Sequence, residues 1–254
     1  MVQTSFARKT NSCAALLCCG GPSLSSVNPR YLNGHNRLVF ALNNTYPFVK
    51  PDVWIGMDDP ECYHRDIFWQ PFVKIMRGGY QNRLCESENI SHLHNMFYAD
   101  VEKVDSQEET FKRRAHASRF VWHGNTLATA LHIIIWMGCK EIYLFGCDLD
   151  NSGKDYFNNT TLAPFHKRRN QALHDELFLY LKWFSEVGKL RHGVELYSCS
   201  PSSKINSFLP FVSYLDLIKT REKDLSYGKK LVHSVDAEPG QIIGLDLGKA
   251  DTMK

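Results

Sequence analysis

The sequence predicts an α/β fold on a mainly parallel sheet, with helices on both faces. Three observations carry this. The run Cys13-Ala14-Ala15-Leu16-Leu17-Cys18-Cys19 holds no charge and stops at Gly20-Gly21-Pro22-Ser23-Leu24. Further short apolar runs, Arg37–Leu42, Val53–Gly56 and Lys140–Gly146, also end in small polar or acidic residues. Between them lie stretches of helical period, the clearest with Leu173, Leu177, Leu181 and Phe184 on one stripe. Continuous apolar runs of strand length belong to strands buried on both faces, and alternation with helices makes the sheet parallel. The arrangement is Rossmann-like, and such sheets bind ligands outside the carboxyl ends of their strands.

The first run and its turn organise the rest. Glycines allow the backbone to approach a ligand closely, and Pro22 suits the first turn of a helix whose amides face the sheet edge. This predicts a phosphate-cradling turn at Gly20, Gly21, Pro22 and Ser23. No Lys-Ser/Thr pair follows, so it is no Walker loop, and the full G-x-G-x-x-G pattern is absent.

At 254 residues, 43% hydrophobic and 22% charged, the chain has the make-up of one large globular α/β domain. We expect that domain over residues 1–227, with lid or loop regions at about 78–118 and 151–163, and a C-terminal extension over 228–254. A net charge of +3 is too small to argue for nucleic acid and suits an anionic small substrate. The eight cysteines include no C-x-x-C pair, which argues against a zinc site or a disulfide framework and for buried thiols in a reducing cytoplasm. The apolar run after Arg8 and Lys9 lacks a signal-peptide cleavage pattern, and Ile133–Trp136 is too short to span a bilayer. No transmembrane segment is expected; a homo-oligomer is compatible with the sequence.

Along the chain, Asn43-Asn44 and Asp58-Asp59-Pro60 close the second and third apolar runs. Tyr63–Trp69 reads as a short helix, Phe72–Met76 and Met96–Tyr98 as strands, and Glu102–Arg114 as an exposed charged loop. Asn125 or Thr126 caps a helix leading to Gly138. The next strand ends at Gly146, followed by Cys147-Asp148-Leu149-Asp150 and a polar loop. Pro164 opens a long helix, Val194–Tyr197 is a strand, and helical residues run from Ile205 to about Leu225, bent at Pro210.

Four segments in this order carry a resemblance: Gly20-Gly21-Pro22-Ser23-Leu24, the stretch His123 to Gly146, the loop Asp148 to Tyr156 with His166 beyond it, and Ser200-Pro201-Ser202-Ser203. Together they resemble the bacterial family-42 sialyltransferases and their phage and environmental relatives. The Gly-Pro-Ser-Leu turn also resembles the archaeal 6-hydroxymethyl-dihydropterin diphosphokinase-like family. The first resemblance implies a sialyltransferase-like glycosyltransferase. It would move a sialic or related nonulosonic acid from a CMP-type nucleotide donor to a glycan acceptor, without a metal cofactor. It implies His166 as the base that takes the acceptor proton and Tyr156 as a phenol steadying the departing phosphate. Asn125, Thr126, Asn43 or Asn44, and Asp58 fall at its nucleotide- and substrate-binding positions, with Gly146, Asp148, Ser202 and Ser203 beside them. The chain departs from the family at two places: Asp150 stands where the first tyrosine is expected, and His123 where an arginine is.

The residue types fit that chemistry. An imidazole accepts a hydroxyl proton well near neutral pH. Lys167, Arg168 and Arg169 put cations in a first helical turn, where the helix dipole disfavours them and an anion would compensate. Asp148 and Asp150 form an Asp-x-Asp pair of the kind that holds a divalent ion in many glycosyltransferases. That pair also supports the alternative of a Mg²⁺-dependent diphosphokinase-like phosphoryl transferase. A third possibility is a nucleotide- or glycan-binding module on the same fold without chemistry.

Overall fold

The computed structural model describes residues 14–33, 37–81, 95–103, 119–122, 124–150, 153–160 and 162–220. They form an eight-stranded sheet: β1 (Ala14–Cys18), β2 (Arg37–Leu42), β3 (Val53–Gly56), β4 (Val73–Arg77), β5 (Met96–Lys103), β6 (Arg119–Trp122), β7 (Glu141–Phe145) and β8 (Glu195–Ser198). Their order is β6-β5-β4-β3-β2-β1-β7-β8, and every neighbouring pair is parallel. The Rossmann-like α/β class expected from the sequence is the class observed.

Side-chain alternation splits the core in two. Ala15 and Leu17 of β1, with Phe40, Ile55 and Leu144, face the helices α1 (Thr126–Trp136) and α2 (Pro164–His192). Ala14, Leu16 and Cys18 face the other way, with Val39, Trp54 and Phe145. On that side the cover is mostly 3₁₀ turns, which contribute Leu24, Ile67 and Phe68, together with Leu217 of the short helix α3 (Tyr214–Thr220). The two faces are thus covered unequally. Among the described residues no helix is long and apolar enough to cross a membrane.

Helix α2 positions the site. Pro164 occupies its first turn, and Gly193, with φ of 60°, ends it in the left-handed conformation glycine favours. Its 29 residues give a length of about 43 Å, against about 17 Å for a five-residue strand. Its first buried residue is Leu177. The turns before Leu177 therefore run past the carboxyl edge of the sheet.

Three expectations need correction. The range 78–118 is not all lid, since β5 extends to Lys103; residues 82–94 and 104–118 lie outside the described set. Strand β6 has no counterpart in the sequence reading. The helix expected from Ile205 to Leu225 is a 3₁₀ turn (Lys204–Ser207), an irregular stretch, and α3. Proline cannot continue a helix, and here the Pro210 carbonyl accepts the Ser198 amide at 3.0 Å, which docks the stretch on β8. Tyr63–Trp69 likewise yields only a 3₁₀ turn, Arg65–Trp69. Residues 228–254, expected to form an extension, lie outside the described residues, as do Asn151, Ser152 and Thr161 of the 151–163 loop.

Candidate functional site

The chain order reverses between β1 and β7: β2 to β6 build outward from one side of β1, while β7 and β8 build from the other. At such a switch point the loops leaving the two strands diverge and open a crevice at the carboxyl edge. The loops at this switch point are Gly20–Ser23, after β1, and Gly146–Asp148, after β7.

The two loops are bonded to each other. The Gly21 amide donates to the Gly146 carbonyl at 2.8 Å, and the Ser23 amide to Asp148 Oδ2 at 2.8 Å. Ser23 Oγ donates to Ser200 Oγ at 2.8 Å, which staples the late Ser200–Ser203 turn to the first one. Ser203 Oγ donates to the Cys147 carbonyl at 2.5 Å, and its own oxygen caps the Ile205 amide at 3.3 Å. Ser202 is exposed on the same turn. These bonds correct the expected phosphate cradle. The amides of Gly21 and Ser23 are already spent, one of them on a carboxylate standing where a phosphate was expected.

The loop after Asp150 folds back over this turn. The Phe157 amide donates to the Gly20 carbonyl at 3.1 Å, and a Cβ built on Gly20 would lie 3.4 Å from the Tyr156 ring. Phe157 packs on Phe48, with ring centroids 5.3 Å apart. Asp155 accepts the Leu162 amide at 2.8 Å and pairs with Lys167 at 3.1 Å, and both hold its carboxyl below the usual range. Asn170 Nδ2 donates to the Tyr156 hydroxyl at 3.4 Å. Tyr156 thus lies over Gly20, held between the turn and α2.

His166 is exposed on the first turn of α2, four residues before Asn170 and hence on the same face. His174, one further step of four, was not singled out from the sequence. It sits where α2 meets the 3₁₀ turn Lys204–Ser207, and its Nδ1 is buried without a partner. Burial, then Lys204, pushes its pKa down, while Asp175, Asp150 and Asp148 pull it up.

Around β2 and β3, Asn43 adopts φ of 50°, and its carbonyl accepts Trp54 Nε1 at 2.7 Å. Asn44 Nδ2 donates to the Cys62 carbonyl at 3.0 Å. The Asp58 amide donates to the Tyr63 hydroxyl at 2.8 Å. The Asp58 side chain reaches solvent, yet surrounding protein raises its pKa by desolvation, against the lowering effect of Arg169 and then Arg77. Arg169 comes from the part of α2 before its first buried residue, Leu177.

Asn125 and Thr126 are spent differently. Asn125 caps α1, accepting the Leu127 amide at 2.8 Å, and Thr126 is buried. Asn125 also lines a pocket of about 240 Å³ between α1 and α2, with Leu173, Glu176 and Tyr180. His123 lies outside the described residues.

Asn44 Oδ1, Asp148 Oδ1, Asp155 Oδ1, His174 Nδ1 and Asn206 Oδ1 are buried and unpartnered. All belong to segments at or beyond the carboxyl edge. Buried polar atoms cost free energy unless something satisfies them, so each is a point where a ligand or ordered water would be stabilised.

No family model matches the chain, and no curated protein matches it. Solved structures do. The sialyltransferase CstII from Campylobacter jejuni, in complex with cytidine-5'-monophosphate, is 14% identical, with 80% of this chain and 86% of that one covered at a TM-score of 0.45. CstII with a trisaccharide acceptor and CMP is 16% identical, with 80% and 87% covered at 0.45. The monofunctional α-2,3-sialyltransferase Cst-I from the same organism is 14% identical, with 80% and 81% covered at 0.45. At these identities and scores the similarity is weak.

The Asp148–Asp150 pair, weighed from the sequence as a seat for a divalent ion, is partly engaged. Among the described residues no three His, Cys, Asp or Glu side chains gather to hold a metal. Asp148 already spends Oδ2 on the Ser23 amide. A hard cation there would have Asp148 Oδ1 and Asp150 as its protein oxygens, the rest of its shell coming from water or phosphate. Cys19 and Cys147 share a hydrogen bond at the ends of β1 and β7; with burial it pushes the Cys19 thiol well up, toward inertness.

Ser200, Asn206 and His174 are the site residues that sequence reasoning passed over. Ser200 stood inside a quoted motif. Only a helical-wheel count from His166 through Asn170 could have found His174.

Proposed function

We propose that this protein is a glycosyltransferase of sialyltransferase-like type, which takes a sugar from a CMP-type donor and passes it to a glycan hydroxyl. The observation that supports this reading best is the covered switch point: Tyr156 lies over Gly20, and its hydroxyl accepts from Asn170 of α2. A nucleotide phosphate seated there meets the Tyr156 phenol rather than the Gly21 and Ser23 amides. His166, on the overhanging turn, takes the proton of the attacking hydroxyl, and direct attack inverts the anomeric centre. Tyr156 donates to the departing phosphate, and Arg168 and Arg169 add positive potential above it. The resemblance of the four sequence segments adds the CMP-type donor and the nonulosonic acid to this reading.

The phosphoryl-transfer alternative would rest its Mg²⁺ on the Asp148–Asp150 pair, where Asp148 Oδ2 already accepts the Ser23 amide. A thermal-shift series separates the two. CMP at 100 times its Kd should stabilise the protein by about 2.7 kcal/mol with no divalent ion present. ATP should shift the melting temperature with neither Mg²⁺ nor EDTA. Stabilisation by ATP only with Mg²⁺, and none by CMP, would overturn the proposal.

A further inference from the structure

Away from the switch point, α1 and α2 part to leave the pocket of about 240 Å³. Ala128 of α1, with Leu173, Leu177 and Leu179 of α2, makes most of its wall. Tyr180 adds an aromatic ring, and its hydroxyl is already hydrogen-bonded to His132 Nε2 at 2.9 Å. The rest of the polar lining is Asn125 and Glu176, and Asn125 Oδ1 is spent on the Leu127 amide. An apolar cavity of about 150 Å³ takes benzene, so this pocket has room for a six-membered ring and a short linker. A sugar bears hydroxyls all round its ring and would leave most of them unpaired against these leucines, which burial makes costly. The wall therefore suits an apolar ring. The Glu176 carboxylate, exposed at its margin, disfavours an anionic one.

The place of the pocket along α2 says what carries the ring. His166, Asn170, Leu173 and Leu177 follow one another at steps of four, three and four residues, so they form one stripe of the helix. The stripe that is buried at Leu177 thus continues outward, through the pocket, to the exposed His166. Leu173 lies seven residues after His166, about 10 Å along the axis. A short oligosaccharide covers that span.

We propose that the pocket between α1 and α2 seats an uncharged aromatic aglycone, so that the acceptor is a glycoside carrying such a ring at its reducing end. This rests on the transferase reading above. The acceptor would lie along the stripe, with its attacking hydroxyl at His166 and its aglycone against Leu173 and Leu177.

Equilibrium titrations followed by NMR, with phenyl β-lactoside, methyl β-lactoside and benzyl alcohol as probes, test the seat without needing turnover. Phenyl β-lactoside should bind at least tenfold more tightly than the methyl glycoside, the scale of burying one apolar ring, and shift the methyl signals of Leu173, Leu177 and Leu179. Ala128→Leu fills the pocket and should remove that preference while CMP affinity is kept. Leu179→Ser, at an exposed position, should reduce the preference several-fold, and it decides alone if Ala128→Leu fails to fold. Equal binding of the two lactosides, no binding of either, or a preference that survives Leu179→Ser would overturn the seat. A response to benzyl alcohol alone would make the pocket an apolar cavity unconnected with the acceptor and overturn it too. If the parent ignores CMP but keeps a Leu179-dependent preference for the phenyl glycoside, the transferase reading fails and the seat stands.

Discussion

Gly21 lies against Asp148 so closely that a Cβ on the glycine would come within 2.5 Å of Asp148 Oδ2, and closer still to the Gly146 carbonyl. Gly21 itself has an ordinary φ of −69°, so the need for glycine is one of space and not of backbone conformation. Gly21→Val should therefore destabilise the whole fold, by about 1–3 kcal/mol or more for forced overpacking. Nucleotide binding should fall with it. At Gly20 a Cβ would only touch the Tyr156 ring at 3.4 Å, so Gly20→Ala should keep the parental melting temperature. Circular-dichroism melts of the two variants check the contrast; equal melting temperatures would show that the two loops are not in contact.

The sheet was legible because its strands are buried on both faces and so read as continuous apolar runs, as Ala14–Cys18 and Glu141–Phe145 do. Strand β6 was not, because Arg119–Trp122 is short and at the sheet edge. The position of the turn at Gly20–Ser23 could be read from its glycines and proline. What its amides do could not, since their partners, Gly146 and Asp148, come from another strand more than a hundred residues later. His174 was hidden for a similar reason: its neighbours Lys204, Asp150 and Asp148 lie on two segments remote from it in the chain.

Asp148 holds the first turn through one carboxylate oxygen. Asp148→Ala should leave the Ser23 amide without its acceptor and cost about 1–3 kcal/mol, whereas Asp148→Asn keeps an oxygen there and should cost less. Chemical denaturation of both variants measures the difference. The metal-free reading predicts that EDTA leaves CMP affinity unchanged in the parent. A loss of CMP binding on chelation, restored by Mg²⁺, would return Asp148 and Asp150 to a metal role.

His174 makes stability depend on pH. Burial, reinforced by Lys204, lowers its pKa in the folded protein despite Asp175, Asp150 and Asp148. The unfolded chain, with an ordinary histidine value of about 6.5, then binds the proton more readily. The contribution of this group is complete above that value and is lost as pH falls through it. Relative to His174→Gln, the parent should lose more melting temperature between pH 7.5 and 5.5. Identical slopes would mean that the ring is equally free to protonate in both states.

The two histidines on one face of α2 also offer the sharpest test of the chemistry. His166 stands exposed on the first turn, where an acceptor can reach it, while His174 is half-buried on α2 with its Nδ1 enclosed. His166→Ala should leave CMP affinity within a few-fold of the parent, because the proposed base meets the acceptor and not the nucleotide. Turnover should fall by roughly 10²–10⁴, the usual worth of a positioned base. Protonating an imidazole base removes its acceptor lone pair, so the parent's kcat/KM should fall on the acid side. That limb should vanish in His166→Ala. His174→Gln should keep the limb and most of the turnover if its role is only to pack the crease. Should His166→Ala retain parental turnover while His174→Gln loses it together with the acid limb, the base sits in the crease, and the acceptor must enter between α2 and the Ser200–Ser203 turn.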